Sequence, residues 1–213
     1  KLSFTLERKD DKFSYSINPF INNISNFIVI EPVSTTNTIR GTFQVWEYRQ
    51  TNAQLLGVDF NASYIINKLV QFNHQLSIVK GQDKTQDEAL INMPPVNTTN
   101  EIVYYNNKYR NLRLSLQSEY VFRQNEFPAT NFEVYIPNTE TFEMVEVSSP
   151  PPAYHLLDFN STIDFDFSER STLTVGFQVT NLLNVSFRNY LNRLRLFADD
   201  LGRNVLLNIK LKY

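Results

Sequence analysis

Side chains able to do chemistry are sparse in these 213 residues, and their spacing points away from catalysis. There is no Cys and there are only two His, His74 and His155, so no thiolate nucleophile, disulfide framework or histidine-built zinc site is available. Neither histidine stands with an acid and a nucleophile at hydrolase spacing, and no glycine-rich phosphate loop occurs. The chain therefore reads as a non-enzyme with no cofactor to seat. What remains are charges and rings suited to non-covalent contact. Asp83, Asp87 and Glu88 suggest calcium, but their spacing fits no EF-hand and they read as a solvated acidic loop. Arg193, Arg195 and Arg203 cluster near the C-terminus, where Arg193 and Arg195 are candidates for attracting an anionic ligand. The segment 124–153 carries Phe127, Phe132, Tyr135 and Phe142 before closing on Pro150-Pro151-Pro152. A connection of that length is often functional, which makes Phe132, Tyr135 and Phe142 candidate ligand contacts.

Charge and composition restrict the partners. A net charge of -2 and a pI near 5.8 leave no basic footprint, so nucleic acid is not expected. The 17 Phe, 11 Tyr and only 5 Gly, with Asn and Ser between the apolar residues, favour strands over helices. No stretch approaches the roughly 18 apolar residues of a membrane helix, which leaves a transmembrane barrel fully allowed. The chain begins at Lys1 without a leader and reads as a mature product or an excised piece.

The elements that must position these groups are set by period two. In 55–66, Leu56, Val58, Phe60, Ala62, Tyr64 and Ile66 alternate with Gly57, Asp59, Asn61 and Ser63; after Asn67-Lys68, Val70, Phe72, His74, Leu76 and Ile78 alternate with Gln71, Asn73, Gln75 and Ser77. The same two-faced pattern returns in 112–123, 156–167, 173–180 and 205–213, the last ending on Tyr213. With weaker segments near 2–8, 12–30, 42–55 and 99–106, about nine strands are expected. Arg113 and Arg123 should face Asp158, Asp164 and Asp166 across a strand pair, with Arg113 near Asp164 or Asp166. Such solvated pairs stabilise by about 0.2–1 kcal/mol each.

Short connections at 9–12, 67–68, 107–111 and 168–172 alternate with long ones expected at 31–41, 81–98, 124–153 and 185–203. Sorting of turn lengths to opposite ends is the habit of outer-membrane barrels. Tyr64, Phe72, Tyr104, Phe165, Phe167 and Tyr213 gather near the short-turn ends, where an interfacial girdle belongs. The fold expected is therefore all-β, an antiparallel up-and-down transmembrane β-barrel in contact with outer-membrane lipid. A terminal aromatic on an alternating strand is also similar to the assembly signal of bacterial outer-membrane proteins. The rivals are a non-energised porin or assembly barrel and a soluble carbohydrate-binding β-sandwich.

Several motifs in order along the chain then resemble one family. Asn181, Leu182, Leu183 and Asn184, followed by Tyr190 and by Gly202-Arg203 before the last strand, are similar to the C-terminal end of TonB-dependent outer-membrane receptors. AQLLGVDF, with Gly57 and Asp59, Met93-Pro94-Pro95, and AYHLLDFN at 153–160 resemble further parts of the same family. The resemblance covers about residue 13 to Tyr213. It implies a barrel of about 22 strands enclosing an N-terminal plug. This chain would supply only the last nine or so strands, the plug and first strands lying outside it. It also implies uptake of a metal chelate, such as a ferric siderophore or haem, or a similar scarce nutrient, coupled through the plug to the TonB complex at the Gram-negative outer membrane.

Overall fold

The computed structural model describes every residue except 40, 129–130, 137–138, 147–148 and 169. Alternation of the kind just described makes β1 (Leu2–Ser3), β2 (Leu6–Lys9), β3 (Phe13–Thr38), β4 (Gly41–Ile65), β5 (Val70–Asp83), β6 (Glu88–Ala89) and β7 (Asn97–Asn106). Beyond these lie β8 (Leu112–Val121), β9 (Asn131–Ile136), β10 (Thr141–Glu146), β11 (Tyr154–Ser168), β12 (Ser171–Thr180), a single 3-10 turn (Arg193–Leu196) and β13 (Asn204–Lys212). The main sheet runs β1-β3-β4-β5-β7-β8-β11-β12-β13, antiparallel throughout, with β2 continuing β1 along β3 and β6 tucked beside β5. Among the described residues it is an open sheet of nine strand positions, in which β13 pairs with β12 and with no strand near the N-terminus.

Register puts the two faces in order. One cross-strand row reads Phe13, Tyr64, Phe72, Ile102, Leu116, Phe159, Val179 and Val205 over eight strands. The adjacent row reads Ser14, Ser63, Asn73, Glu101, Gln117 and Asp158. Neighbouring rows point to opposite sides of the sheet, so one face is apolar and the other polar. Polar residues on the apolar face are satisfied across strands, the two histidines among them: His74 Nδ1 meets Asn100 Oδ1 at 2.8 Å, and His155 Nε2 meets Ser118 Oγ at 2.8 Å.

Two expectations about connections are corrected. Residues 31–41 do not form a long loop, because β3 and β4 continue as a paired arm as far as the Thr38–Gly41 pair. Thr35, Thr36 and Thr38 are β-branched and suit a strand, whereas the Ser, Pro and Asn around them read as a turn. Bulges between Ile24 and Phe27 and between Pro32 and Ser34 bend the arm. The first holds Asn26 at φ 56°, a left-handed conformation that Asn accepts. Segment 124–153 likewise holds its own hairpin, β9 with β10. Arg113 stands opposite Thr162 and reaches Glu101 at 3.9 Å, while Asp164 accepts from Asn111 and Thr174. The expected pairing of Arg113 with Asp164 or Asp166 fails because the register sets those carboxylates further towards the turn. Arg123 lies beyond the end of β8 and is exposed.

Glycine has a steric role at two places on the polar face. A Cβ at Gly57 would lie 2.5 Å from Cζ of Phe20 and 2.8 Å from the Ile78 carbonyl oxygen. The ring of Phe20 thus lies against the bare backbone of β4. A Cβ at Gly81 would meet Met93 Sδ at 2.6 Å and Leu90 Cδ1 at 2.9 Å, so this glycine lets segment 84–95 fold down onto the sheet. Leu90 and Ile91 there join Val29 and Ala53 as a small buried core, with Phe27, Trp46, Leu55 and Met93 packed around it.

Gly57→Ala should therefore lower unfolding free energy by about 1–3 kcal/mol, the usual cost of overpacking. Gly176→Ala, whose added Cβ meets nothing nearer than 3.4 Å, should stay close to the wild type. Urea titrations followed by the fluorescence of Trp46, the single tryptophan, measure both, and equal midpoints would refute the packing role of Gly57.

Candidate functional site

Two regions gather polar side chains: the polar face of the sheet and the cap formed by the long connections. On the polar face, Ser16, Asn61, Ser63, Asn73, Glu101 and Gln117 line a hollow of about 400 Å3. Its wall is tied laterally, since Ser63 and Gln71 both donate to Asn73 Oδ1 at 2.9 and 2.7 Å, and Asn73 donates to Glu101 at 3.0 Å. Asp59 accepts from Ser77 at 2.7 Å on the same face, beside Gly57. These groups satisfy one another, which makes a rigid wall able to offer hydrogen bonds to whatever fills the concavity.

The cap begins where β5 ends. Arg49 donates to Glu31 at 2.7 Å and to Asp83 at 2.7 Å, and Thr51 donates to Asp83 at 2.5 Å. The side chain of Asp83 is only 3% exposed. Burial alone would push this carboxyl up, but the bonds from Thr51 and Arg49 and from the backbone N–H groups of Gln86 and Thr85 outweigh it and bring it down to about 2. Those same carboxylates hold Arg49 well above its ordinary value. Asp83 is therefore committed to an internal ion pair, and Asp87 accepts from Gln82. Among the described residues no group of three metal-ligating side chains assembles. Sequence reasoning missed this cluster because it treated Glu31 and Asp83 as belonging to separate solvated loops.

The remaining expected positions are distributed around the cap. Gln124 donates to the Met93 and Pro94 carbonyls at 3.0 and 3.4 Å, and Pro95 is buried as the chain enters β7. Asn181 is 4% exposed at φ 50°, with its N–H on Asp158 and its side chain bonded to both backbone groups of Val185. Asn184, at φ 53°, accepts from the Arg203 N–H at 2.9 Å, and its Oδ1 would lie 2.8 Å from a Cβ on Gly202. The pair of asparagines thus forms the turn that leaves β12 and receives β13. Arg203 acts there through its backbone, and Tyr213 lies fully in the open at 96% exposure. Tyr135 and Phe142 face each other across β9 and β10 with ring centroids 5.3 Å apart, both exposed. The side chain of Phe132, the third aromatic candidate, lies outside the described residues.

Arg193 and Arg195 part company. Both sit in the 3-10 turn capped by Asn192, but Arg193 is exposed and Arg195 is 4% exposed. The Arg195 guanidinium stacks 4.6 Å above the ring of Tyr190, itself 2% exposed. Burial pushes the Tyr190 hydroxyl up and the Arg195 guanidinium down. Arg188 binds Asp199 at 2.6 Å and the Arg195 carbonyl at 2.9 Å, closing the turn from outside.

Residues 3–182 match the family described as TonB dependent receptor-like, beta-barrel. The chain belongs to that family. Solved structures share the fold of this TonB-dependent receptor barrel segment. The copper transporter OprC is 16% identical at a TM-score of 0.71, with 99% of this chain and 30% of that chain covered. The FrpB iron transporter from Neisseria meningitidis (F3-3 variant) is 16% identical at 0.66, covering 97% and 30%. The siderophore receptor PirA from Acinetobacter baumannii is 16% identical at 0.60, covering 99% and 31%. The chain thus spans about 30% of the length of these structures. No curated protein matches its sequence.

The Asp83 cluster sets a pH dependence. A carboxylate held at about 2 against an ordinary 3.8 adds stability that is complete above the ordinary value and vanishes as pH falls towards 2. The term is about 2 kcal/mol. Asp83→Asn should lower stability at neutral pH and flatten its decline between about pH 5 and about pH 2, measured by unfolding at a series of pH values. A variant with the wild-type slope would show that the pair is not formed.

Proposed function

We propose that this chain is the C-terminal portion of the barrel of an outer-membrane receptor that takes up a metal chelate or a similar scarce nutrient by TonB-coupled transport. The observation that carries the reading is the open nine-position sheet with one apolar and one hydrogen-bonded polar face, in a chain of this family. Membrane lipid covers the apolar face. The polar face, with its hollow lined by Asn61, Asn73 and Glu101, turns inwards to a plug domain that lies with the first strands outside this chain. Coverage of only 30% of the OprC chain supports that division. Coupling to the TonB complex runs through the plug, so the residues described here contribute walls and outer loops and make no covalent change in the cargo.

Cargo meets the end bearing the long connections. Tyr135 and Phe142 supply exposed rings there, with Phe132 on the same hairpin, and Arg193 and Arg195 supply positive charge. Gly57, Asp59, Pro94, Pro95, Asn181, Asn184, Tyr190, Gly202, Arg203 and Tyr213 serve the frame. A copper transporter, an iron transporter and a siderophore receptor among the structurally similar proteins support a metal or metal-chelate cargo as a class.

Two measurements test this reading. Expression of the intact receptor in a strain stripped of its own chelate receptors should restore growth on a ferric chelate or another scarce metal complex, and only when TonB is present. Growth restored equally without TonB would favour a passive pore. For placement in lipid, Phe60→Arg or Leu114→Arg should cost about 2–4 kcal/mol near the midplane, whereas Asn61→Arg on the polar face costs much less. Equal tolerance of all three, read from unfolding in detergent or lipid, would overturn the facing, and full solubility without detergent would favour a soluble sandwich.

A further inference from the structure

A charge without a partner is the feature least explained by the frame. Arg195 is 4% exposed, yet its Nε and Nη2 find no hydrogen-bond acceptor. A buried guanidinium left in this condition is costly, and native proteins tolerate such groups chiefly where a ligand completes them. The nearest carboxylate in the same pocket does not serve: Asp199 is taken by Arg188 and by Ser186, at the mouth of the turn. The pocket itself has a volume of about 420 Å3, with Pro150, Pro151, Phe187, Arg188 and Leu196 among its walls beside Arg195. Prolines and a phenyl ring exclude water without offering acceptors, so the space that Arg195 lines is shaped and positively charged.

We propose that this pocket, between residues 149–152 and the turn 186–199, is a binding site for an oxyanion, a carboxylate or phosphate group that accepts from the guanidinium of Arg195. Two adjacent N–H groups on a planar guanidinium match the two oxygens of such a group, and the ring of Tyr190 fixes the plane in which they lie. The anion is carried by a small molecule, either free or as part of the cargo. The inference rests on the proposed function only for access to the pocket from outside. Sequence alone did not separate Arg195 from Arg193, two residues away; the 3-10 turn does, by turning one inward and the other out.

The test is the melting of the intact receptor, extracted in detergent, with inorganic phosphate or citrate added against chloride at matched ionic strength. The wild type and Arg193→Gln should show a saturable rise in melting temperature with at least one of the two anions. Arg195→Met, which keeps the packing over Tyr190, should show none and should melt no lower than the wild type when no anion is present. Arg195→Lys, keeping charge without the fork, should need about tenfold more anion for half-saturation. A response only to citrate assigns the site to carboxylates, and one to both assigns it to oxyanions generally. A wild type that ignores both anions, or an Arg195→Met variant that responds like the wild type, overturns the proposal. Melting requires no transport, so a receptor that fails to restore growth but shows the Arg195-dependent shift refutes the uptake reading and leaves the anion site standing.

Discussion

The antiparallel register of one continuous sheet is the constraint on which the rest of this structure depends. Side chains alternate with period two, so a single offset at any strand pair decides which face every later residue occupies. The row from Phe13 to Val205 stays apolar over eight strands because no offset accumulates, and the adjacent row from Ser14 to Asp158 stays polar for the same reason. Bulges are confined to the β3–β4 arm and to one step between Asp166 and Ser168 at a turn. The ladder also pairs the backbone N–H and C=O groups across the sheet.

From this frame the cap is built by local devices. Asparagine does much of what glycine does elsewhere: of the non-glycine residues at positive φ, Asn26, Asn92, Asn111, Asn181 and Asn184 are asparagines, in a chain of only 5 glycines. Its short amide both accepts a left-handed backbone and bonds to neighbouring backbone groups, so a turn made by Asn181 or Asn184 is held as well as permitted. The glycines are kept for close approach. Gly81 admits Leu90 and Met93 onto the sheet, and the core so formed fixes one long connection above the polar face. Ion pairing at Arg49 binds the foot of the arm to the end of β5.

Much of the frame was legible in the residues. The two faces, the nine sheet positions and the short turns follow from alternation in segments such as 56–64 and 112–117, where the pattern is unbroken. The motif residues Asn181 and Asn184 were found by resemblance, and their geometry explains the spacing. Three things were not legible, each for a physical reason. The arm above residue 30 is flanked by Pro, Ser and Asn, whose turn propensity masks pairing that comes from its own partner strand. β8 and β11 are joined only through the long segment 122–153, so no short-turn pattern encodes their register, which moved Arg113 away from Asp164. Arg195 and Arg193 are alike as residues, and only the tight turn after Asn192 distinguishes their surroundings.

The histidines on the apolar face bear on how the sheet is assembled. His74 bonds to Asn100 directly across the β5–β7 pair, and His155 reaches Ser118 diagonally across the β8–β11 pair. Among greasy neighbours, each of these four polar groups is tolerable only beside its mate. A β5–β7 pair that closes two residues out of step would keep its faces correct, since parity is preserved, yet would move His74 off Asn100 and leave both among apolar neighbours. Apolar alternation by itself cannot penalise that error. The His74–Asn100 pair therefore acts as an alignment key, selecting among the registers that hydrophobicity alone would leave equivalent.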